Sequence, residues 1–352
     1  IFTVDCGTLS FEAISYAKNN NIDVIVLDHH QAETKLPEAY SIINPNRFDD
    51  KSNLQYLCAA GVTFMFLVSL NKYLRSTNWF KKNTVNEPNL INYLDLVTLG
   101  TVCHEVPLVG LNRAIVKQGL KILKLGKNLG LKTLFDICNI ESRPSIYHLG
   151  YVLGPRINAG GRVGKCSHGA NLLLNKNPKE VFKIASELDN FNKERKLLEN
   201  DLTDKILNNL DNIHNDPVLI VDGENWHEGV IGIVASRLKD KFYKPAIIIS
   251  KNKKIGKASA RSIVGFDIGS IILAAVQEKI LIKGGGHKMA GGFSIDISKI
   301  EIFKEFIFKK FKRINKDLVV KRTLSLDSKI APSAINIEFY DKVNALSPFG
   351  SG

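Results

Sequence analysis

The chain opens with two short apolar runs separated by an amphipathic stretch. Residues 1–4, "IFTV", read as the end of a strand, and residues 23–27, "DVIVL", as a second strand. Residues 9–20, "LSFEAISYAKNN", carry helical spacing between them. Strand, helix and strand in that order predict a βαβ unit with parallel, buried, closely spaced strands. Further helices are predicted over about 54–76, 89–100 and 111–125. Asn177 before Pro178 is a good N-cap followed by a good first helical residue. From there Val181, Ile184, Leu188, Phe191, Leu198, Leu202, Ile206 and Leu210 recur mostly three or four apart, and no Gly or Pro interrupts them up to Ile213. That predicts one helix of about 36 residues, ~54 Å long, with a single apolar face: a connector between domains. After Asn215 the pattern changes to the strands "PVLIVD", "PAIIIS" and "IGKASA", with helices over about 229–241, 267–281 and 298–313. A further element, "VVKRTLSLDSKI", begins at Val319.

Composition narrows the class. The chain has 352 residues, enough for two or three domains, and at 44% hydrophobic it can bury real cores. No apolar run approaches the ~20 residues that span a bilayer. Five scattered cysteines without a C-x-x-C argue against a zinc ribbon or a disulfide framework and for a reducing cytoplasm. The net charge of +13 suits a polyanionic partner. Lysine outnumbers arginine 37 to 11, so the positions that do carry arginine are the more informative. The opening on Ile1 inside a strand-like run, and the close on "LSPFGSG", are read as the ends of a fragment.

Candidate chemistry sits where the first two strands end. Asp5 follows the first strand; Asp28, His29 and His30 follow the second. Open α/β sheets bind ligands at the carboxyl ends of their strands, and neighbouring strands lie ~4.8 Å apart. Two carboxylates so placed can share a metal ion, with imidazoles adding nitrogen ligands suited to Mn, Fe or Zn. Such a site supports metal-assisted hydrolysis. A lone His-His pair would read as a polar loop start; the second acid one βα unit earlier favours the metal.

These residues carry a family resemblance. "VDCG" and "VIVLDHH" look like two motifs of the DHH phosphoesterase superfamily. The blocks "LGTVCHEVPLVGLNRAIVKQGL", "LGPRINAGGRVG", "VDGENWHEGVIGIVASRLKDKF", "GKASARSIVGFDIG" and "GGGHKMAGGF" then resemble, in order, the RecJ-type single-stranded-DNA exonucleases. The resemblance implies a parallel-sheet DHH domain over 1–176, a connector helix over 177–214, a smaller α/β DHHA1 domain over 215–315 and the start of an OB-fold over 316–352. It implies 5′-to-3′ hydrolysis of single-stranded DNA to mononucleotides in DNA repair and recombination, with two Mn2+ or Mg2+ ions. Asp5 is expected to bridge the metals and His29 to ligate one. His30 is expected against the phosphate, and Asp28 as a ligand or directly behind the ligands. The family's first motif is expected upstream of Ile1. A fourth motif normally places an Asp after "TVC", where this chain has His104 followed by Glu105. Either His104 keeps a ligand role, since histidine ligates Mn or Zn, or Glu105 reaches the ion, or the site is weakened.

The remaining blocks read as strand contacts. Arg156, Asn158 and Arg162 surround Gly160 and Gly161; arginine forks onto phosphate, and the alternative is a turn with solvated side chains. His227 and Glu228 precede a helix whose N-terminal amides could hold an anion, and Trp226 is read as core packing. Ser259 and Arg261 are expected, by resemblance, to hold the 5′ end of the strand. Gly284, Gly285, Gly286 and His287 are read as a glycine-rich phosphate-cradling loop. The expected partners are single-stranded DNA, a single-strand-binding protein and a helicase, with the protein a cytoplasmic monomer away from membranes. Two rival readings are a DHH hydrolase of short oligonucleotides or bisphosphorylated nucleosides, and a non-catalytic single-strand binder with a decayed metal site.

Overall fold

The computed structural model describes residues 1–209, 215–314 and 326–351. They divide into two compact units: 1–157, 170–186 and 330–352, and 158–169 with 187–329. No helix among the described residues is long and apolar enough to cross a membrane.

In the first unit the expected βαβ is present. Strands β1 (Phe2–Val4) and β2 (Ile25–Leu27) flank helix α1 (Phe11–Asn19), and β3 (Ser41–Ile43) follows, in a parallel sheet of order β1-β2-β3. Val4 pairs with Leu27 and Leu27 with Ile43, so the residues that follow all emerge at one end. Val24, Val26 and Ile42 pack against Ile14 and Ala17 of α1. Helix α2 (Ala59–Ser76) leads through the short α3 (Trp79–Lys82) and a 3-10 turn to α4 (Leu94–Cys103) and α5 (Gly110–Lys124). α4 is buried along most of its length, and Leu94 and Val97 meet Ile115 and Ile122 of α5. Then come α6 (Leu129–Ile137), a π-helical turn (His148–Leu153), α7 (Gly154–Val163) and α8 (Ser167–Leu174). The block "GPRINAGGRVG", which composition suggests is a turn, is mostly helix α7. Gly160 serves close packing instead: a Cβ there would lie 3.1 Å from Leu188 Cδ2.

Helix α9 runs unbroken from Pro178 to Asn208, about 46 Å. The Asn177 side chain accepts from Lys179 N, as an N-cap should. Val181, Leu188, Leu202 and Ile206 are buried on the expected stripe. Asp189, expected on the solvated face, is instead buried, although Lys193 still pairs with it. The expected end of this helix, with Leu210, Ile213 and His214, lies outside the described residues.

The second unit is a five-stranded sheet of order β4-β5-β6-β8-β7. Its strands are β4 (Leu219–Glu224), β5 (Ala246–Asn252), β6 (Ile255–Arg261), β7 (Lys283–His287) and β8 (Ala290–Asp296). Only β4 and β5 pair in parallel. Period-two alternation builds two layers. Ile220, Ile247 and Ile249 face α11 (Ile268–Gln277) and α12 (Ile300–Ile314), while Leu219, Ala246 and Ile248 face α10 (Glu228–Phe242) and the end of α9. The stretch Gly284–His287, read from sequence as a loop, is a β-strand paired with β8. Its glycines admit a close crossing, because a Cβ on Gly269 of α11 would stand 2.8 Å from Gly286 C.

Residues 326–351 form a 3-10 turn and helix α13 (Ile337–Ala345), with no strand that would mark an OB-fold. The first part of that expected element, through residue 325, lies outside the described residues. The tail returns to the first unit, where Leu108 N donates to Ser351 O at 2.8 Å and Arg113 Nη1 to Pro348 O at 2.7 Å.

Candidate metal centre and anion-binding residues

Sheet order delivers the acids and histidines together. Asp5 N donates to Leu27 O and Asp28 N to Ile43 O, so both acids extend the parallel ladder by one residue. Asp5 then turns with φ 63°, a conformation that disfavours side chains other than glycine's by about 1–2 kcal/mol. Gly7 follows at φ 121°, lying so close that a Cβ would meet Thr3 Oγ1 at 2.7 Å.

Asp28 is buried and anchors the turn. Its Oδ2 accepts from Thr8 N at 3.0 Å; its Oδ1 accepts from His29 N at 2.7 Å, His30 N at 3.2 Å and His30 Nδ1 at 2.8 Å. Burial would push this carboxyl up, but the hydrogen bonds from Thr8, His30 and the backbone prevail and hold it well below the usual carboxylate range. With its Nδ1 donating to Asp28 Oδ1, His30 has Nε2 as the ring nitrogen left to ligate, the arrangement that orients imidazole ligands in metal sites.

His29 faces Asp5, with Nε2 3.2 Å from Asp5 Oδ1. The ring is mostly buried, and its buried Nε2 makes no hydrogen bond among the described residues. Burial first, then the charges of His104 and His30, push its pKa down, so the ring is a neutral donor at neutral pH. Donor atoms of Asp5, His29 and His30 lie within 4.8 Å of one another. A buried nitrogen lone pair without a partner, beside an exposed carboxylate and a second oriented imidazole, fits a divalent cation with mixed N/O preference.

Of the other expected ligands, Asp28 lies behind this cluster rather than in it. His104 caps the C-terminus of α4 and stands edge-on to His29, ring centroids 4.6 Å apart, also outside the cluster. Glu105 adopts a left-handed φ of 57°. Three residues escaped the sequence reading. Thr8 clamps Asp28, and Asn44 donates to Thr8 Oγ1 and His30 O, both at 2.8 Å. Asn46 donates to His29 O. Their available signal was position: Asn44 directly follows β3, where a parallel sheet presents its chemistry.

The second unit gathers arginines. Arg162 donates from Nη1 to Gly229 O at 2.9 Å. Arg261 donates to Ser259 Oγ at 3.3 Å and to Ala260 O at 2.8 Å. A Cβ on Gly232 would lie 3.1 Å from Arg261 Nη2. Gly229 and Gly232 are three apart, so both arginines address one face of the first turns of α10. Burial, then the charge of Arg195, push the pKa of Arg162 down; burial, then the charge of Arg162, do the same to Arg261. Glu199, the acid that acts on Arg162, is tied to Arg195 at 3.0 Å and Arg237 at 2.6 Å. Two half-buried guanidiniums that repel each other thus stand beside a helix N-terminus, an arrangement whose chemistry suits an anion.

The remaining expected residues distribute as follows. His227 caps α10, its Nδ1 accepting from Gly229 N. Glu228 is drawn off to Lys257 at 2.8 Å. Trp226 packs half-buried against the α10 core layer. Arg156 donates to Val152 O and belongs to the first unit, whereas Asn158 and Arg162 belong to the second. Gly284, Gly285, Gly286 and His287 form β7 and so make no loop cradle.

Comparison with known proteins agrees with this geometry. The family model described as "DHH family, N-terminal domain" matches residues 1–101, and the DHHA1 domain model matches 215–313. The single-stranded-DNA-specific exonuclease RecJ of Salmonella typhimurium is 38% identical over 87% of the chain and 55% of its own length. That of Escherichia coli is 33% identical over 99% of the chain and 62% of its own length. The chain thus spans about three fifths of the length of these relatives. The crystal structure of RecJ from Thermus thermophilus in complex with Mn2+ superposes with TM-score 0.84 at 27% identity, over 99% of this chain and half of that one. A second RecJ structure, bound to manganese, gives 0.73 at 27% identity, covering 91% and 77% of the two chains. The chain therefore carries a DHH-family N-terminal domain and a DHHA1 domain, and over nearly its whole length it is similar to RecJ proteins.

Proposed function

We propose that this chain is the core of a metal-dependent exonuclease that hydrolyses single-stranded DNA from its 5′ end to mononucleotides. The supporting observation is the Asp5–His29–His30 cluster, in which the buried His29 Nε2 faces Asp5 Oδ1 at 3.2 Å without a hydrogen bond to it. The relatives' names and their manganese and magnesium complexes give the substrate and the ions. Asp5, His29 and His30 hold the ions, Mn2+ or Mg2+ and two in number as the family resemblance implies. Bound there, divalent metal lowers the pKa of water and neutralises charge on a phosphodiester. Asp28 and Thr8 keep the histidines oriented, and Asn44 and Asn46 hold the backbone of both. In the second unit, Arg162, Arg261 and Ser259 grip the terminal phosphate of the strand. The cellular setting is DNA repair and recombination in the cytoplasm.

The test is mononucleotide release by the full-length protein from 5′-phosphorylated oligonucleotides. Release from single strands with Mn2+, little from duplex and none with EDTA supports the reading. Tight strand binding without release would replace it with the binding-protein reading, which draws on His104 standing outside the donor cluster.

A further inference from the structure

We propose that His168, paired with Glu187, is a positioning residue that sets Arg162 for recognition of the terminal phosphate; this rests on the anion-site reading above. His168 lies outside every block that carries the family resemblance. It is mostly buried, and its Nε2 meets Glu187 Oε2 at 2.6 Å. Its Nδ1 is buried with no partner, so Glu187 is the polar hold on this ring among the described residues.

The pair fastens the short α7–α8 junction, with Arg162 in the last turn of α7. Gly164 N donates to Gly160 O, closing the last turn of α7, and His168 N to Lys165 O, so α7 passes into α8 through only residues 164–166. A Cβ on Gly160 would lie 3.5 Å from His168 Cβ, which brings the two sides of the junction together. The junction rests on α9. A Cβ on Gly164 would strike the Phe191 ring at 2.4 Å, and the His168 and Phe191 rings lie 5.9 Å apart. Apolar contacts of this kind fix distance but tolerate sliding, whereas a charged hydrogen bond to one carboxylate fixes register. Arg162 sits between these fastenings with its guanidinium on Gly229 O. Releasing His168 from α9 lets the junction shift, and the spacing of Arg162 from Arg261 shifts with it.

The experiment uses the full-length protein in EDTA, so that no cleavage occurs. Fluorescence anisotropy measures its affinity for a 5′-phosphorylated and a 5′-hydroxyl single-stranded oligonucleotide of one sequence. The wild-type protein is expected to prefer the phosphate, and Arg162→Ala to lose that preference. His168→Ala and Glu187→Ala are expected to lower the preference about tenfold, one charge-assisted hydrogen bond's worth, with affinity for the hydroxyl strand unchanged. His168→Gln, whose amide nitrogen can stand where Nε2 stands, is expected to restore it. Glu187 is partly exposed on α9, so its variant keeps the test open should His168→Ala fold poorly. Full phosphate preference in Glu187→Ala and in the folded His168 variants, alongside its loss in Arg162→Ala, would overturn the positioning role alone. Unaltered preference in Arg162→Ala would overturn the anion-site reading and the positioning role together.

Discussion

At the scale of single residues, the centre depends on Asp28 as much as on the donors it supports. Asp28→Ala leaves Thr8 N, both histidine amides and His30 Nδ1 without their acceptor. The expected outcome is a stability loss of roughly 3 kcal/mol in urea denaturation and about 10–100-fold weaker Mn2+ binding by calorimetry. The pH dependence follows from the sign of the shift. A carboxyl held low in the folded state contributes stability that is fully present above its unfolded pKa, about 3.9, and is lost as pH falls toward the folded value. The acid limb of the stability–pH profile should therefore flatten in Asp28→Asn. His104 offers a second test, because its charge depresses His29. His104→Asp replaces that effect with an attractive one and should tighten Mn2+ binding; unchanged affinity would show that this position does not act on the centre. Asp5, Asp28, His29 and His30 were legible in the sequence because polar residues ending apolar strands have few structural reasons to be there. Thr8, Asn44 and Asn46 were not, because their partners are 14 to 36 residues away in sequence and ordinary turn chemistry explains each alone.

At the scale of elements, glycine was the residue type most easily misread. The blocks at 154–164 and 284–292 look like flexible loops by composition, yet they form a helix and a hairpin. Glycine permits turns, but it also permits backbones to cross where no Cβ fits, and sequence does not separate the two. Gly269→Ala would place a methyl group 2.8 Å from Gly286 C and His287 O, both backbone atoms that cannot yield cheaply. A destabilisation of about 1–3 kcal/mol in urea denaturation is expected, whereas Gly285→Ala, with open space around it, should be close to neutral. The long helix and the βαβ unit were legible because periodicity and capping agree over many residues, as at Asn177 and Pro178. The bounds in space were less so. Residues 158–169 join the second unit and 330–352 the first, through contacts such as Arg162 to Gly229 and Leu108 to Ser351 that no local pattern announces.

At the scale of the whole molecule, the net charge of +13 and the paired arginines of the second unit make the proposed binding of a single strand one that should be sensitive to salt. Affinity should fall linearly on a log–log plot against salt, and Arg162→Ala and Arg261→Ala should each reduce the slope by about 0.7, one phosphate's share for single strands. Unaltered slopes would remove both residues from the strand-binding surface. The central claim is that Asp5, His29 and His30 hold the metal that serves phosphodiester hydrolysis. It is tested most directly by the Mn2+-dependent rate of mononucleotide release from 5′-phosphorylated single-stranded DNA, compared between the full-length protein and its His29→Ala variant at matched melting temperature. The account predicts a loss of at least about a thousandfold, the scale of several kcal/mol in charge stabilisation, with strand binding in EDTA retained. An undiminished rate in the folded variant would contradict it.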